Sequence, residues 1–445
     1  MKRHCHFTPL ALLAFSMLAV ASDDLAIKIN DPNEKVRQEA VKRIGKKGDQ
    51  STIPLLAKAL FDPSAKVRRK VIFALDQLRY PEILGPLHLA TQDLTPEVAR
   101  LAVLALVNYS TGRRDLSTDS SDMIGGLKAL GSKVKRGFAP DDMRIDFDVR
   151  VDPLTIRALE NVLKRKPTWE AQRAAAWGLG VLLARTAIPT LVDIAHSQDP
   201  DLAREAMNSL TKILDPSAGP ALVDLLDSPN EDVRKDAAIT VGILRTKEAV
   251  KPLADLYKRE SNSKVRAKAL EGLAFIGSEI SAPLFKEALR NRNDSLRITA
   301  AEGFARITNP KYANEVRLAE STENDGKVRL AMAFALAAMG DSSYVPDLVQ
   351  QLGSAFRRNI ASAYLIELSR SSDSRFQLYQ HLDHHAPDVR KSLCKILMYH
   401  GDSDTIKALD YLTRDENKGV AIEAIRATRV IRAREIAKRK AWQEG

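Results

Sequence analysis

The sequence predicts an all-α chain, an α-solenoid of about twelve helical hairpins. Three observations predict it. A turn, an apolar-Arg pair and an Ala-rich run recur together every 31 or 32 residues. Inside each copy the apolar residues fall at helical spacing, as at Val233, Ala237 and Val241 or Val265, Ala269 and Leu273. Of the 445 residues 44% are hydrophobic but only 5% aromatic, so the core must be built from small aliphatic side chains that suit close helix packing.

Residues 1–21 read as a secretory signal peptide. Lys2 and Arg3 precede an apolar run, 10–20, and Ala19-Val20-Ala21 offers small side chains at a cleavage site. The run is too short to span a bilayer, and no later stretch is apolar enough to do so. Cleavage would remove Cys5 and leave Cys394 alone, which excludes a disulfide framework and a four-cysteine zinc module. The expected location is therefore the periplasm or the exterior.

The repeats fill 22–110 and 153–417. Their anchoring residues are Val36, Val67, Val98, Ala171, Leu202, Val233, Val265, Leu296, Val328, Val389 and Val420. The interval of 61 from Val328 to Val389 holds one divergent copy around 356–368. The interval of 73 from Val98 to Ala171 contains the irregular segment 111–152, read either as a functional loop or as an insertion replacing one degenerate repeat. In each copy a second helical run follows, often with Pro near its start (IPLLAKAL, IPTLVDIA, GPALVDLL), where a missing N–H does no harm. Gly45, Gly242, Gly277, Gly340 and Gly401 are expected to close first helices in the left-handed conformation. No unit of this size buries its own apolar face, so neighbours must stack. Residues 418–445, with Arg426, Arg429, Arg432, Arg434, Lys438, Arg439 and Lys440, read as a basic capping helix with a polar outer face.

The motif D-P-x-x-x-V-R stands as Asp31, Pro32, Val36 and Arg37, and again as Asp62, Pro63, Val67 and Arg68. It resembles the HEAT-like repeat family, specifically the short bacterial repeats of the phycobilin-lyase-associated type, over nearly all of the chain after residue 21. The resemblance implies a right-handed α-α superhelix with the second helices lining its concave face. It says little about function, because a fold of this kind hosts many.

Several residue groups bear on chemistry. Arg37, Arg68, Arg234, Arg266, Arg297, Arg329 and Arg390 occupy one helical position. They read as a structural ladder, each reaching an acidic or carbonyl group in the adjoining turn, in preference to a phosphate-binding row. Asp193, Asp224 and Asp255 share a position on second helices 31 residues apart; Lys286 follows in that register and Lys58 precedes it. This column is the candidate partner-binding surface, with a solvated face as the plain alternative. His381, His384 and His385, with Asp383, could form at most a weak metal site and read as an exposed turn. The run Asp141, Asp142, Asp146, Asp148 and Asp152 lacks the order of a calcium loop. Family hydroxylases hold two irons with His-Glu dipeptides; none is present here, so that activity is not implied. There is no nucleophile elbow, P-loop or His-Glu-x-x-His motif. Cys394 reads as a core residue. No catalytic residue, metal or cofactor is assigned.

The net charge is +11, or +9 without Lys2 and Arg3. The expected function is an exported, non-catalytic scaffold that binds another protein along the solenoid surface. Two alternatives stand beside it: a lyase-like enzyme or accessory acting on a small ligand in the groove, and a nucleic-acid-binding repeat protein. Export and the Asp column disfavour nucleic acid; an acidic protein or an anionic component of the cell envelope suits the basic charge better.

Overall fold

The computed structural model describes residues 25–112, 149–165 and 168–443. The leader sequence, most of segment 111–152 and the acidic run up to Asp148 lie outside them. Every described regular element is helical.

Polar residues start the first helices. Asn33, Ser64, Asp199, Asn230, Asn262, Asn293 and Asp325 each stand in extended backbone and accept an N–H of the following turn, meeting donors that the helix leaves unpaired. A 3-10 turn then leads into the shorter second helix, with Pro54, Pro189, Pro283 and Pro346 in its first positions.

By contact the chain divides into two units, which part between Ala218 and Gly219. The N-terminal unit has first helices α1 (Glu34–Lys47), α3 (Ala65–Leu78), α5 (Pro96–Thr111), α7 (Trp169–Val181) and α9 (Pro200–Ile213). Each packs against the next. Its second helices are α2 (Ile53–Ala59), α4 (Leu84–Ala90), α6 (Pro153–Arg165) and α8 (Ile188–Ala195). Helices α5 and α7 pack directly on each other, so among the described residues they are neighbouring first helices. Helix α6 packs on α4, α7 and α8, and His88 Nε2 meets Thr155 Oγ1 at 2.9 Å between α4 and α6. Helices α5 and α6 thus flank segment 111–152, most of which lies outside the described residues.

The C-terminal unit has first helices α10 (Glu231–Ile243), α12 (Ser263–Ile276), α14 (Asp294–Ile307), α16 (Gly326–Ala338), α18 (Arg358–Leu368), α20 (Pro387–His400) and α22 (Lys418–Gln443), again in sequential contact. The second elements are a 3-10 helix over Pro220–Asp227, then α11 (Val250–Arg259), α13 (Ala282–Ala288), α15 (Ala313–Glu320), α17 (Val345–Gln350), α19 (Ser372–Tyr379) and α21 (Ser403–Leu409). The hairpin α18–α19 is the divergent copy. Helix α22 buries Val420, Ala424, Ala427 and Ile431 but exposes Ile422, Ile425 and Ile436 among its arginines. Its exposed side therefore carries isoleucines as well as the basic residues expected there.

Stacking buries the repeat anchors. Val67, Val98, Ala171, Val328 and Val420 are fully buried, Val265 and Val389 nearly so; only Val36 and Leu296 are half-buried. One buried group is unfavourable. Asp76 in α3 is 5% exposed, its Oδ1 lacks a hydrogen bond, and Arg79 is 3.9 Å away. Burial raises its pKa to about 6, with Arg79 opposing. A raised folded-state value means stability is held at low pH and lost as pH climbs through about 6. Asp76→Asn is therefore expected to stabilise the protein by about 2 kcal/mol at pH 8 and to change little at pH 4, read from urea midpoints. Equal effects at both values would refute the assignment.

Candidate functional site

The Arg ladder forms through the turns. Arg37 donates to the carbonyls of Asp31 and Pro32 in its own turn and grips Asp62 of the next, with Nε 2.6 Å from Oδ2. Asp62 in turn accepts the N–H of Ser64. The same arrangement joins Arg68 to Asp93, Arg234 to Glu260, Arg297 to Glu323 and Arg390 to Asp415. Each of those carboxylates also accepts the N–H two residues on, so one side chain shapes its turn and ties it to the repeat before. Hydrogen bonding to the partner raises the pKa of Arg68, Arg297 and Arg390. These guanidiniums are committed to the fold.

Arg266 and Arg329 are not rungs. Both are exposed. The positions 25 and 26 residues later hold Asn291 and Arg292, or Ser354 and Ala355, none of them a carboxylate. Sequence reading missed a different rung. Arg375 in α19 donates to the carbonyls of Ser369 and Arg370 and reaches Asp402 at 2.6 Å, although α19 is a second helix. The Ser-Ser-x-x-Arg stretch before it lacks the Asp-Pro signature.

The acidic column takes a different course from the one expected. Leu191, Leu222, Leu253 and Phe285 are all fully buried in their second helices. Two residues after the first three stand Asp193, Asp224 and Asp255, all exposed. Two residues after Phe285 stands Glu287, also exposed. The buried residues step by 32 at this point, so Lys286 leaves the column and Glu287 continues it. Lys286 instead pairs with Glu315 and lies over the Tyr312 ring, 5.3 Å from its centre. In the C-terminal unit the column therefore reads Asp224, Asp255, Glu287. Asp193 occupies the same position in the N-terminal unit. Lys58, two residues after the buried Leu56, is exposed on α2.

The histidine turn is occupied by local bonding. His384 and His385 stack at 4.3 Å, His384 Nδ1 accepts the N–H of Ala386, and Arg390 holds both backbone carbonyls. Among the described residues no three His, Cys, Asp or Glu side chains gather as a metal site. Cys394 is fully buried, and burial pushes its thiol up to about 12, far from a reactive thiolate. No described helix is long and apolar enough to cross a membrane.

A buried polar cluster in the C-terminal unit had no sequence signal. Arg306 of α14 makes a two-pronged ion pair with Glu367 of α18, at 2.8 and 2.9 Å, passing over α16. Tyr364 of α18 donates to Glu302 of α14 at 2.7 Å across the same helix. Tyr364 also stacks on Phe334 at 4.5 Å, and Arg306 caps the Phe275 ring at 4.6 Å. Ala338 stands in α16 where Arg306 stands in α14, and the small side chain leaves room for the reach.

A family model described as HEAT repeats matches residues 22–107, 156–242 and 222–305. Another, described as a PBS lyase HEAT-like repeat, matches 328–354. No curated protein matches the sequence. Among solved structures, importin beta crystallised in ammonium sulfate is similar, with 12% identity and a TM-score of 0.43, over 92% of this chain and 67% of that one. The complex of CpcE and CpcF of phycocyanin lyase from Nostoc sp. PCC7120 is similar with 20% identity and a TM-score of 0.33, over 56% of this chain and 89% of that one.

Proposed function

The chain belongs to the HEAT-repeat family, and from that premise we propose that it is an exported, non-catalytic scaffold that holds a basic segment of a protein partner along its second helices. The acidic column carries this reading. Asp224, Asp255 and Glu287 point to solvent from one position of successive second elements, while the residue two places earlier is fully buried in each. Rows of like charge on rigid elements are costly to hold and favour a partner of opposite sign. The leader over residues 1–21 supports export. The stretch that matches the lyase-type repeat, 328–354, contains neither His nor Cys, which supports a structural role for it.

The test is partner capture by crosslinking and pull-down from the intact cell envelope. The triple change of Asp224, Asp255 and Glu287 to Lys is expected to weaken capture at least about tenfold at unchanged helicity. Lys286→Glu, outside the column, should leave it unaltered. Undiminished capture by the triple variant would overturn the assigned face.

A further inference from the structure

Around Glu367 the C-terminal unit gathers more positive charge than its carboxylates neutralise. Arg245, just after α10, comes within 3.7 Å of Glu367, although α12, α14 and α16 intervene in the chain. Glu367 is already spent on the two-pronged pair with Arg306. Glu302 is taken by the Tyr364 hydroxyl and stands 3.8 Å from Arg306. Arg306 is 9% exposed, yet its Nη1 is buried without a hydrogen-bond partner. Arg370, which follows α18, is exposed and acts electrostatically on Arg245, Glu367 and His400. Half of the Arg245 side chain, 51%, faces solvent.

We propose that Arg245, Arg306 and Arg370 form a binding site for a phosphate group. The planar guanidiniums of Arg245 and Arg306 meet at Glu367, and Arg370 at the end of α18 adds its charge to Arg245 and Glu367, a set that suits the several oxygens of a tetrahedral dianion. A carboxylate fits less well, because Glu367 already fills that role. Two neighbouring groups report the excess charge. Burial lowers the pKa of Arg245, and Arg370 and Arg306 lower it further. Burial, then Arg370, Arg434 and Arg375, depress His400 to about 4. Arg375 and Arg434 are themselves engaged, by Asp402 and by the carbonyls of Met398, Tyr399 and Gly401. The site is independent of the acidic column and of the scaffold reading.

The experiment is calorimetric titration of the full chain at fixed ionic strength. Its arms are inorganic phosphate, a phosphoserine peptide, phosphatidylcholine vesicles containing phosphatidic acid, and acetate. Saturable binding in any phosphate arm, tighter than acetate, is expected, and the tightest arm names the source of the group. The Arg245→Gln, Arg370→Gln double variant removes two exposed side chains, so the fold should survive, as circular dichroism would check. It is expected to bind phosphate at least about tenfold more weakly. Arg185→Gln, the same charge loss in the N-terminal unit, should bind as the parent does. Phosphate bound no better than acetate, or bound equally by the double variant, would overturn the site.

Discussion

Glu367→Ala is expected to lower the stability of the C-terminal unit by about 3–5 kcal/mol, because it strands a buried charge. Arg306 cannot shed its proton to escape. Although burial opposes it, the neighbouring Glu367 and Glu302 hold its pKa above the usual value. Without Glu367 the guanidinium would keep Glu302 at 3.8 Å and the Phe275 ring, and repulsion from Arg245 would go unopposed. The penalty belongs to the unpaired charge more than to the pair. Joint replacement, Arg306→Met with Glu367→Leu, should therefore recover most of the loss. The pH dependence follows. Burial alone would raise the pKa of Glu367, but Arg306 lowers it overall. A depressed value places the stabilisation above the ordinary carboxylate range, to be lost as pH falls through and below it. Urea unfolding of the parent should show that loss at acid pH, and the Glu367→Ala variant should show less of it. A single substitution costing under about 1 kcal/mol would show the cluster to be incidental.

The cluster also marks where sequence reading stops. Periodic features were legible because stacking imposes one requirement on every copy. An apolar anchor such as Val233 must be buried, and a turn acid such as Asp62 must meet the Arg of the repeat before. Arg306 and Glu367 lie 61 residues apart, in different copies and at different positions of the repeat. Nothing periodic relates them, and only the stacking of α14 and α18 on either side of α16 brings them together. Lys286 and Glu287 show a subtler failure. Counting by 31 gave the right face as far as Asp255, then slipped by one residue, and on a helix one residue is about 100° of rotation. The buried Phe285 marks the true register, and it was in the sequence, but only burial identifies it as the successor of Leu253. The interval of 73 failed differently. Spacing alone cannot say which first helices are neighbours across that interval, whereas the direct packing of α5 on α7 does.

Glycine gives the second large expectation, that Gly272→Val will cost about 3 kcal/mol or more. Gly277 and Gly340 do close helices, at φ 67° and 102°. Gly45 and Gly242 were expected to do the same, but they lie inside α1 and α10, and Gly401 follows α20 in extended backbone. Non-glycine residues hold several of the left-handed positions instead, Arg79, Leu214, Arg245 and Thr308 among them. Gly242 and Gly272 serve a different need. They face each other where α10 and α12 come closest: a Cβ on Gly242 would lie 2.5 Å from the Gly272 Cα, and one on Gly272 would lie 2.3 Å from the Ala238 carbonyl oxygen. The obstacle is backbone, which has no rotamer to change, so the two helices must separate and give up packing along their length. Valine should do this more severely than alanine, whose better helix propensity, worth about 1 kcal/mol, offsets part of the clash. Gly85, exposed in α4 with nothing within 4 Å of a Cβ, supplies the contrast: Gly85→Ala should be neutral or slightly stabilising. Denaturant midpoints of the three variants test the explanation. If Gly272→Val unfolds where the parent does, the α10–α12 contact is not the close approach that these glycines permit.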